Sequence, residues 1–359
     1  MEETSNGGMV TVRLSACAGT IRGAYERAFT ELARAGAGPG DVVHVVEYAT
    51  GAVLGTYAEV EAARRNALGA HRVPVATVAV EALPGGEDLA VELTAFPGGG
   101  ELIEAAPDDG MHRGTLRVAG GIVYLPSIHP RGGDFRSQYR QCLEQAADLL
   151  KAAGLGLGSL VQTTDYTANA TRSEYPRCGR PRRELLGKEK GVFPGAAGII
   201  VDQPVVPGAM VSLDAIASTA PLTTVNPGWR RYDTLTYAPG VAAGDTLFMS
   251  GFGALEPATQ KGIFVGDLLA QAEYTYASIA ATLREAGLGD RPPYGGVVRL
   301  VEYLTPDAVA RYGEVAEIRR DYFGDSPALS SVVCSALLRP DFMIEVVPTA
   351  VLAPAGEKP

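Results

Sequence analysis

The sequence predicts an α+β protein made of three tandem domains of one kind, closing on themselves as a pseudo-trimeric barrel with helices outside. Three observations predict it. The first is a repeat: residues 42–68 (VVHVVEYATGAVLGTYAEVEAARRNAL), 160–186 (LVQTTDYTANATRSEYPRCGRPRRELL) and 297–323 (VVRLVEYLTPDAVARYGEVAEIRRDYF) share four landmarks in fixed order. These are an acid and the Tyr after it (Glu47-Tyr48, Asp165-Tyr166, Glu302-Tyr303), a second Tyr (Tyr57, Tyr175, Tyr312) and an Arg pair (Arg64-Arg65, Arg182-Arg183, Arg319-Arg320). The second is the period, about 120 to 140 residues, which is the size of a domain and not of a solenoid turn. The third is the order of elements, which is β-β-α-β-α-β-β in the most complete copy. A sheet with both helices on one face leaves its other face apolar, and three such faces can be buried against one another around a shared axis.

The elements follow from local pattern. The three domains are expected at 9–96 (divergent and truncated), 113–219 and 232–352, with linkers rich in Gly, Pro, Asp and Thr at 97–112 and 217–235. In the first, one strand (10–17) precedes a helix (22–35). In the second, strands at 115–118 and 122–125 lead to a helix at 135–153, the strand 160–166, the Arg-rich helix, and strands 198–202 and 209–216. In the third, an apolar run broken by Gly (244–255) reads as a bent strand. The helix after it, 266–285, is set by Leu268, Leu269, Ala272, Tyr276, Ile279, Ala280 and Leu283 at helical spacing, and Gly287 ends it. A strand (297–303), a turn at Thr305-Pro306-Asp307, a helix (308–323) and an apolar hairpin of strands 331–337 and 342–347 complete the unit.

Composition sets limits. At 359 residues and 46% hydrophobic, the chain can bury two or three cores of ordinary size. A net charge of -10 argues against nucleic acid as partner, because phosphate binding needs clustered Lys and Arg. The start, MEETSNGGMV, lacks the basic and apolar segments of a signal peptide, and no apolar run approaches the ~20 residues of a membrane helix. A soluble cytoplasmic protein is expected, with no membrane partner, acting as a monomeric pseudo-trimer or a higher assembly of it. Cys17, Cys142, Cys178 and Cys334 lack CxxC spacing, and His44, His71, His112 and His129 lack HxxxH spacing, so no metal site and no cofactor is expected. The glycines of AGLGLGS follow a helix, not a strand, and make a cap and loop instead of a dinucleotide site.

The third unit carries TYAPGVAAGDTLFMSG, a Gln-bearing first helix (Gln271), LREAGL, the strand VVRLVEYL and a final FMIEVVPTAV. In these it resembles the Rid (YjgF) superfamily, and the resemblance extends three times over nearly the whole chain, closest in the third unit. It implies a Rid/chorismate-mutase-like fold, sites in the clefts between units, and hydrolysis of enamines or imines anchored by an Arg early in the first of the last two strands. That place holds Val75, Ala197 (or Ala196) and Leu329 here, and no aliphatic side chain imitates the two-point grip of a guanidinium on a carboxylate. Chorismatases, single chains with a Rid-like pseudo-trimeric fold, lack that Arg too. Their resemblance rests on Ser250-Gly251, on Gly266-Asp267 with Gln271, and on LLRPDFMIEV, which puts Glu345 in the place of the catalytic acid. Leu338 stands where that family has a small residue or Cys, and the His-bearing segment before the Gly-Asp pair is missing.

Strand alternation turns Glu345 away from Ile344 and Val346. A carboxyl among apolar neighbours is costly to ionise, so its pKa should rise and suit a general acid. The other expectation is a structural Glu paired with an Arg, since Glu92 and Asp214 are read in similar places of the other units. Tyr237 is expected over a planar substrate as the second catalytic residue, or as a strand-flank packing residue. Candidate substrate contacts are Ser250, Gly251, Arg339 in the hairpin turn, Arg319 and Arg320, and His129 in SIHPRGGD. Adjacent helical residues lie about 100° apart, so one Arg of each pair should reach its own strand's acid and the other should be solvated. Arg230-Arg231 beside Trp229 is expected either to hold a carboxylate or to stack as a linker, and Cys334 to pack as a small hydrophobe. The expected partner is thus a small acidic or imine/enamine substrate. Three functions compete: an enzyme that protonates and hydrates a small unsaturated acid, chorismatase-like; a specialised imine or enamine deaminase; and a binding pseudo-trimer without catalysis.

Overall fold

The computed structural model describes residues 9–15, 21–105, 114–187, 191–256, 259–325 and 327–352, with backbone alone for 10–15. Cys17 and His112 lie outside the described residues. Unit one comprises β1 (Val10–Ser15), α1 (Ile21–Arg34), β2 (Val42–Thr50), α2 (Gly51–Leu54), α3 (Tyr57–Leu68), β3 (Val75–Val80) and β4 (Leu89–Ala95). Unit two comprises β5 (Glu101–Glu104), β6 (Thr115–Ala119), β7 (Ile122–Tyr124), α4 (Phe135–Ala152), β8 (Leu160–Ala168), α5 (Gly179–Leu186), β9 (Gly195–Val201) and β10 (Val211–Ser218). Unit three comprises β11 (Leu222–Val225), β12 (Gly240–Ala243), β13 (Thr246–Met249), α6 (Leu268–Glu285), β14 (Val297–Leu304), α7 (Val315–Phe323), β15 (Ala328–Val333), β16 (Ala336–Leu337) and β17 (Ile344–Val351). In units two and three a 3-10 stretch, Asn169–Cys178 or Pro306–Glu314, occupies what the sequence suggests is the front of the second helix.

The expected linkers are not structureless. Each contains a short edge strand, β5 or β11, that opens the sheet of the following unit. The sheets run β1-β4-β2-β3, β16-β9-β8-β10-β7-β6-β5 and β11-β12-β13-β17-β14-β15. In every unit the strand bearing the acid-Tyr pair (β2, β8, β14) is central: it pairs antiparallel with the last long strand (β4, β10, β17) and parallel with the one before it (β3, β9, β15). The expected hairpin at the C-terminal end is therefore corrected. β14 lies between β15 and β17, and β16 crosses to pair with β9 of unit two.

Burial explains the arrangement. The long helices α1, α4 and α6 cover one face of each sheet; along α6, Leu268, Ala272, Tyr276, Ile279, Ala280 and Leu283 pack with Leu300, Leu304, Ile344 and Val346. Asp134 and Asp267 cap α4 and α6, accepting from Ser137 N at 2.8 Å and Ala270 N at 3.3 Å. The opposite faces meet in one core built by all three units, with Val46, Tyr48 and Val78 against Tyr166, Ile199 and Val201 and against Val301, Tyr303 and Val347. The hydroxyls of Tyr166 and Tyr303 are 3.0 Å apart within it. Removing one branched side chain there, as in Ile199→Ala, should cost about 2–5 kcal/mol. The units also bond directly: Ser127 N donates to Val75 O at 3.1 Å, Gly251 N to Ala196 O at 3.0 Å and Val333 N to Ala82 O at 2.9 Å. No helix among the described residues is long and apolar enough to cross a membrane.

Candidate active site

The repeated landmarks form the frame behind the site. In unit one, Glu47 accepts from Tyr25, from Tyr57 at 2.6 Å and from Arg64 at 2.6 Å. In unit three, Glu302 accepts from Tyr276 and Tyr312, both at 2.5 Å, and from Arg319 at 2.8 Å. The second Arg of the pair is exposed, Arg65 near Glu61 and Arg320 on Asp325 at 2.8 Å. Arg319 and Arg320 are therefore not placed to bind substrate: the first neutralises a fully buried carboxylate and the second faces water.

The large cleft lies between units two and three, with a volume of about 840 Å³. Among the described residues its charged lining is Arg172, Arg182, Arg183, Arg231, Arg339 and a single acid, Glu345. Tyr237 and Gly251 also line it, so four of the sequence-derived candidates come together. Ser250 does not line it. Its hydroxyl is buried, donating to Ala238 O at 2.6 Å and accepting from Ala196 N at 2.8 Å, which locks the end of β13 to the start of β9. His129 is buried in unit two, on the loop that abuts unit one, away from this cleft. Gln271 clips α6 to the approach to β17, donating to Asp341 O at 2.7 Å and accepting from Met343 N at 2.8 Å. Cys334 is buried, as expected of a small hydrophobe.

Register shows why this cleft differs from its counterparts. Opposite the Tyr of each central strand stand Ala90, Ser212 and Glu345, so a carboxyl occupies that place only in unit three. Glu92 and Asp214 pair two residues farther along, at the position of Val347, which corrects the likeness suggested by the sequence. They line another cavity, about 60 Å³, that all three units enclose. There Glu92 bonds Arg299 and Ser330 at 2.5 and 2.6 Å, and Asp214 accepts from Ser127. The acid-bearing strand faces Thr77 in unit one and Ser331 in unit three, but Gly198 in unit two. Ile128 and Phe252 bridge to equivalent places, Leu213 and Val346, so Gly251 and Gly253 correspond to Ser127 and His129. A Cβ at Gly198 would collide with Tyr175 and Leu338, one at Gly251 with the Glu345 carboxylate, and one at Gly253 with the Phe342 ring. Glycine at these three places thus makes room for side chains of the cleft, where the other units carry side chains of their own.

Glu345 is 7% exposed. Burial, then the nearby charge of Asp165, push its pKa up to about 8 against a hydrogen bond from the Gly198 backbone. Its neighbours on β17, Ile344 and Val346, point into the helix-side core. The segment 226–237 walls the cleft. Trp229 stands edge-on to Phe252 and stacks on Tyr232, and Tyr232 meets Tyr237 edge-on with centroids 5.6 Å apart. Arg231 lies 5.0 Å over the Tyr232 ring and donates to the Tyr237 hydroxyl at 3.2 Å, while its Nε is buried without a hydrogen-bond partner. The segment stacks, as one of its two readings expects, and Arg231 lines the cleft. Ala196 is the register equivalent of Val75 and Leu329, and it lines the cleft with Ala197. The wall is aliphatic where the Rid arginine is expected, and cations reach in from other elements. Sequence reasoning missed Arg172 and Arg183; the signal was the density of Arg between 172 and 183, unmatched in the other copies. Among the described residues no group of His, Cys, Asp and Glu is set to hold a metal.

Residues 232–352 match the family described as Endoribonuclease L-PSP. A crystal structure of a chorismatase is similar over 96% of this chain and 98% of its own, at 12% identity and a TM-score of 0.59. A putative endoribonuclease from Thermotoga maritima matches at 26% identity over 33% of this chain and 87% of its own, TM-score 0.29. A YjgF/YER057c/UK114 family member from Mycobacterium tuberculosis matches at 24% identity over 29% and 84%, TM-score 0.26. No curated protein matches the chain.

Proposed function

We propose, from the premise that this chain belongs to the Rid (YjgF) superfamily and is organised as chorismatases are, that it protonates and hydrates a small unsaturated carboxylic acid in the cleft between units two and three. The three sheets are read as the staves of one pseudo-trimeric barrel, supported by the core they share. The observation that carries the functional reading is a buried carboxyl, the single acid among the described residues lining a cleft that five arginines also line, in a chain of net charge -10. Such a cleft suits an anion, and Glu345 is held protonated near neutrality.

The chemistry follows from those two facts. The substrate carboxylate is held by Arg231 and by the exposed Arg183 and Arg339, and a planar double bond lies against Tyr237 and Tyr232. Glu345 gives its proton to the terminal methylene of an enol ether, leaving an oxocarbenium ion and a Glu345 carboxylate. Water adds to the cationic carbon and returns a proton to Glu345. The hemiketal then breaks its carbon–oxygen bond, releasing an alcohol and a 2-oxo acid. General acid catalysis of this kind contributes about 10²- to 10⁴-fold.

A second reading keeps the same acid and replaces the enol ether by an enamine, so that ammonia leaves. The match of unit three to its family favours it, and the aliphatic Ala196-Ala197 wall disfavours it. Pyruvate released from chorismate supports the first reading and ammonia released from freshly generated imines the second. Ligand binding without either product would leave a binding protein.

A further inference from the structure

The three repeats serve as controls for one another, and unit two breaks their rule. In units one and three the acid of the acid-Tyr pair is Glu, and an Arg of the following helix bonds it directly, Arg64 to Glu47 at 2.6 Å and Arg319 to Glu302 at 2.8 Å. A hydroxyl completes each set, Thr77 or Ser331, bonding the repeat's second Tyr at 2.6 or 2.5 Å. In unit two the acid is Asp165, one methylene shorter. Arg182 does not bond it: Nη1 goes to Tyr139 at 3.0 Å and Thr163 at 3.4 Å, and the other nitrogens go to Thr236 at 3.0 and 3.1 Å. Asp165 keeps only Tyr139 at 3.1 Å and Tyr175 at 3.3 Å, both on Oδ2. Its Oδ1 is buried without a hydrogen-bond partner, in a residue 1% exposed.

The cross-strand partner of Asp165 is Gly198, whose backbone bonds Glu345. We propose that Asp165 is a positioning residue for Glu345: lacking the direct bond to arginine that its counterparts keep, its carboxylate acts across Gly198 to hold the Glu345 carboxyl protonated and ready to donate. This rests on the reading of Glu345 as the acid. Two carboxyls in one poorly solvated space cannot both ionise freely, so the first to lose its proton protects the other's. The remaining groups fit that order. Around Asp165 are Tyr139 and Cys142 from α4, Tyr175 and Cys178 from the 3-10 stretch and Arg182 from α5; beside Glu345 are Tyr232 and Cys334, both neutral near pH 7, and Arg172, Arg182, Arg183, Arg231 and Arg339 line the same cleft. Burial raises Asp165 only to about 6, below Glu345. Asp165 therefore ionises first, against a neutral Glu345.

The test is the titration of Glu345 in full-length protein, followed by carbon NMR of labelled glutamate carboxyls and assigned with Glu345→Gln. Asp165→Asn should lower the Glu345 midpoint by about one pH unit, because the neighbouring charge is gone while the shape is kept. Asp165→Glu should lower it as well, since the longer side chain regains Arg182 as Glu47 and Glu302 hold theirs, and it serves if the Asn variant does not fold. The alkaline limb of kcat/KM should move with the midpoint, which a structural defect would not produce. An unchanged midpoint in a folded variant overturns the proposal. A shifted midpoint with a stationary kinetic limb would leave the pairing standing and refute Glu345 as the acid.

Discussion

The carboxylate of Glu345 occupies the space that a side chain at Gly251 would fill. Gly251 belongs to the end of the bent strand and Glu345 to β17, and the equivalent of Gly251 in unit two is Ser127. The glycine is thus a requirement of the acid. Gly251→Ala should lower turnover at least ~10-fold by displacing the carboxyl, since proton transfer tolerates little misplacement. Steady-state kinetics beside a thermal melt should find the loss in kcat with the protein still folded.

The pH dependence has a definite sign. A carboxyl whose folded pKa is raised from 4.5 to about 8 keeps its proton through neutrality, so activity should be level at neutral pH and fall about tenfold per unit above about 8. The same group stabilises the fold most fully below its unfolded pKa and loses that contribution as pH rises through 8. Glu345→Gln should remove both trends, read from a pH–rate profile and from urea midpoints between pH 5 and 9.

Arg231 lines the cleft, and its Nε is buried without a hydrogen-bond partner. A charge-assisted hydrogen bond to a substrate carboxylate is worth about 1.5–3 kcal/mol, so Arg231→Ala should raise KM about 10- to 100-fold while changing kcat less. Arg231→Lys should recover part of the loss, because the charge returns without the planar fork. An unchanged KM would place the anion elsewhere among the arginines.

Carboxylates outside the cleft, Asp165 apart, should behave as structural groups. Glu92→Gln leaves Arg299 without its charge partner, and Arg319→Ala leaves Glu302 without its own. Each should cost about 3–5 kcal/mol in urea unfolding, with turnover per folded molecule unchanged for Glu92→Gln. Arg320→Ala, on an exposed pair, should leave the melting temperature where it was.

Repetition made the fold legible. The acid-Tyr, Tyr and Arg landmarks are visible because each names a buried cluster: Glu47 pairs with Arg64 and Glu302 with Arg319, while in unit two Asp165 keeps its tyrosines and Arg182 turns to Tyr139 and Thr236. Alternation also placed Glu345 on the face opposite Ile344 and Val346. What the chain did not display was register. Glu92 and Asp214 look like counterparts of Glu345 along the sequence, yet cross-strand pairing sets them two residues away, and only the partner strand carries that information. The last two long strands read as a hairpin because they are adjacent in sequence, although β14 separates them. Ser250 and His129 were drawn in by motif position, whereas their surroundings, a backbone lock and a buried loop at another seam, are tertiary facts. Arg172 and Arg183 reach the cleft from a 3-10 stretch and a short helix, and no local spacing says which way those elements turn.

The central claim is that Glu345 supplies the proton, and the turnover number of Glu345→Gln on an unsaturated acid substrate tests it most directly. Turnover should fall about 10²- to 10⁴-fold, with substrate still bound and the fold at least as stable as wild type at pH 8. Turnover within twofold of wild type would contradict the account.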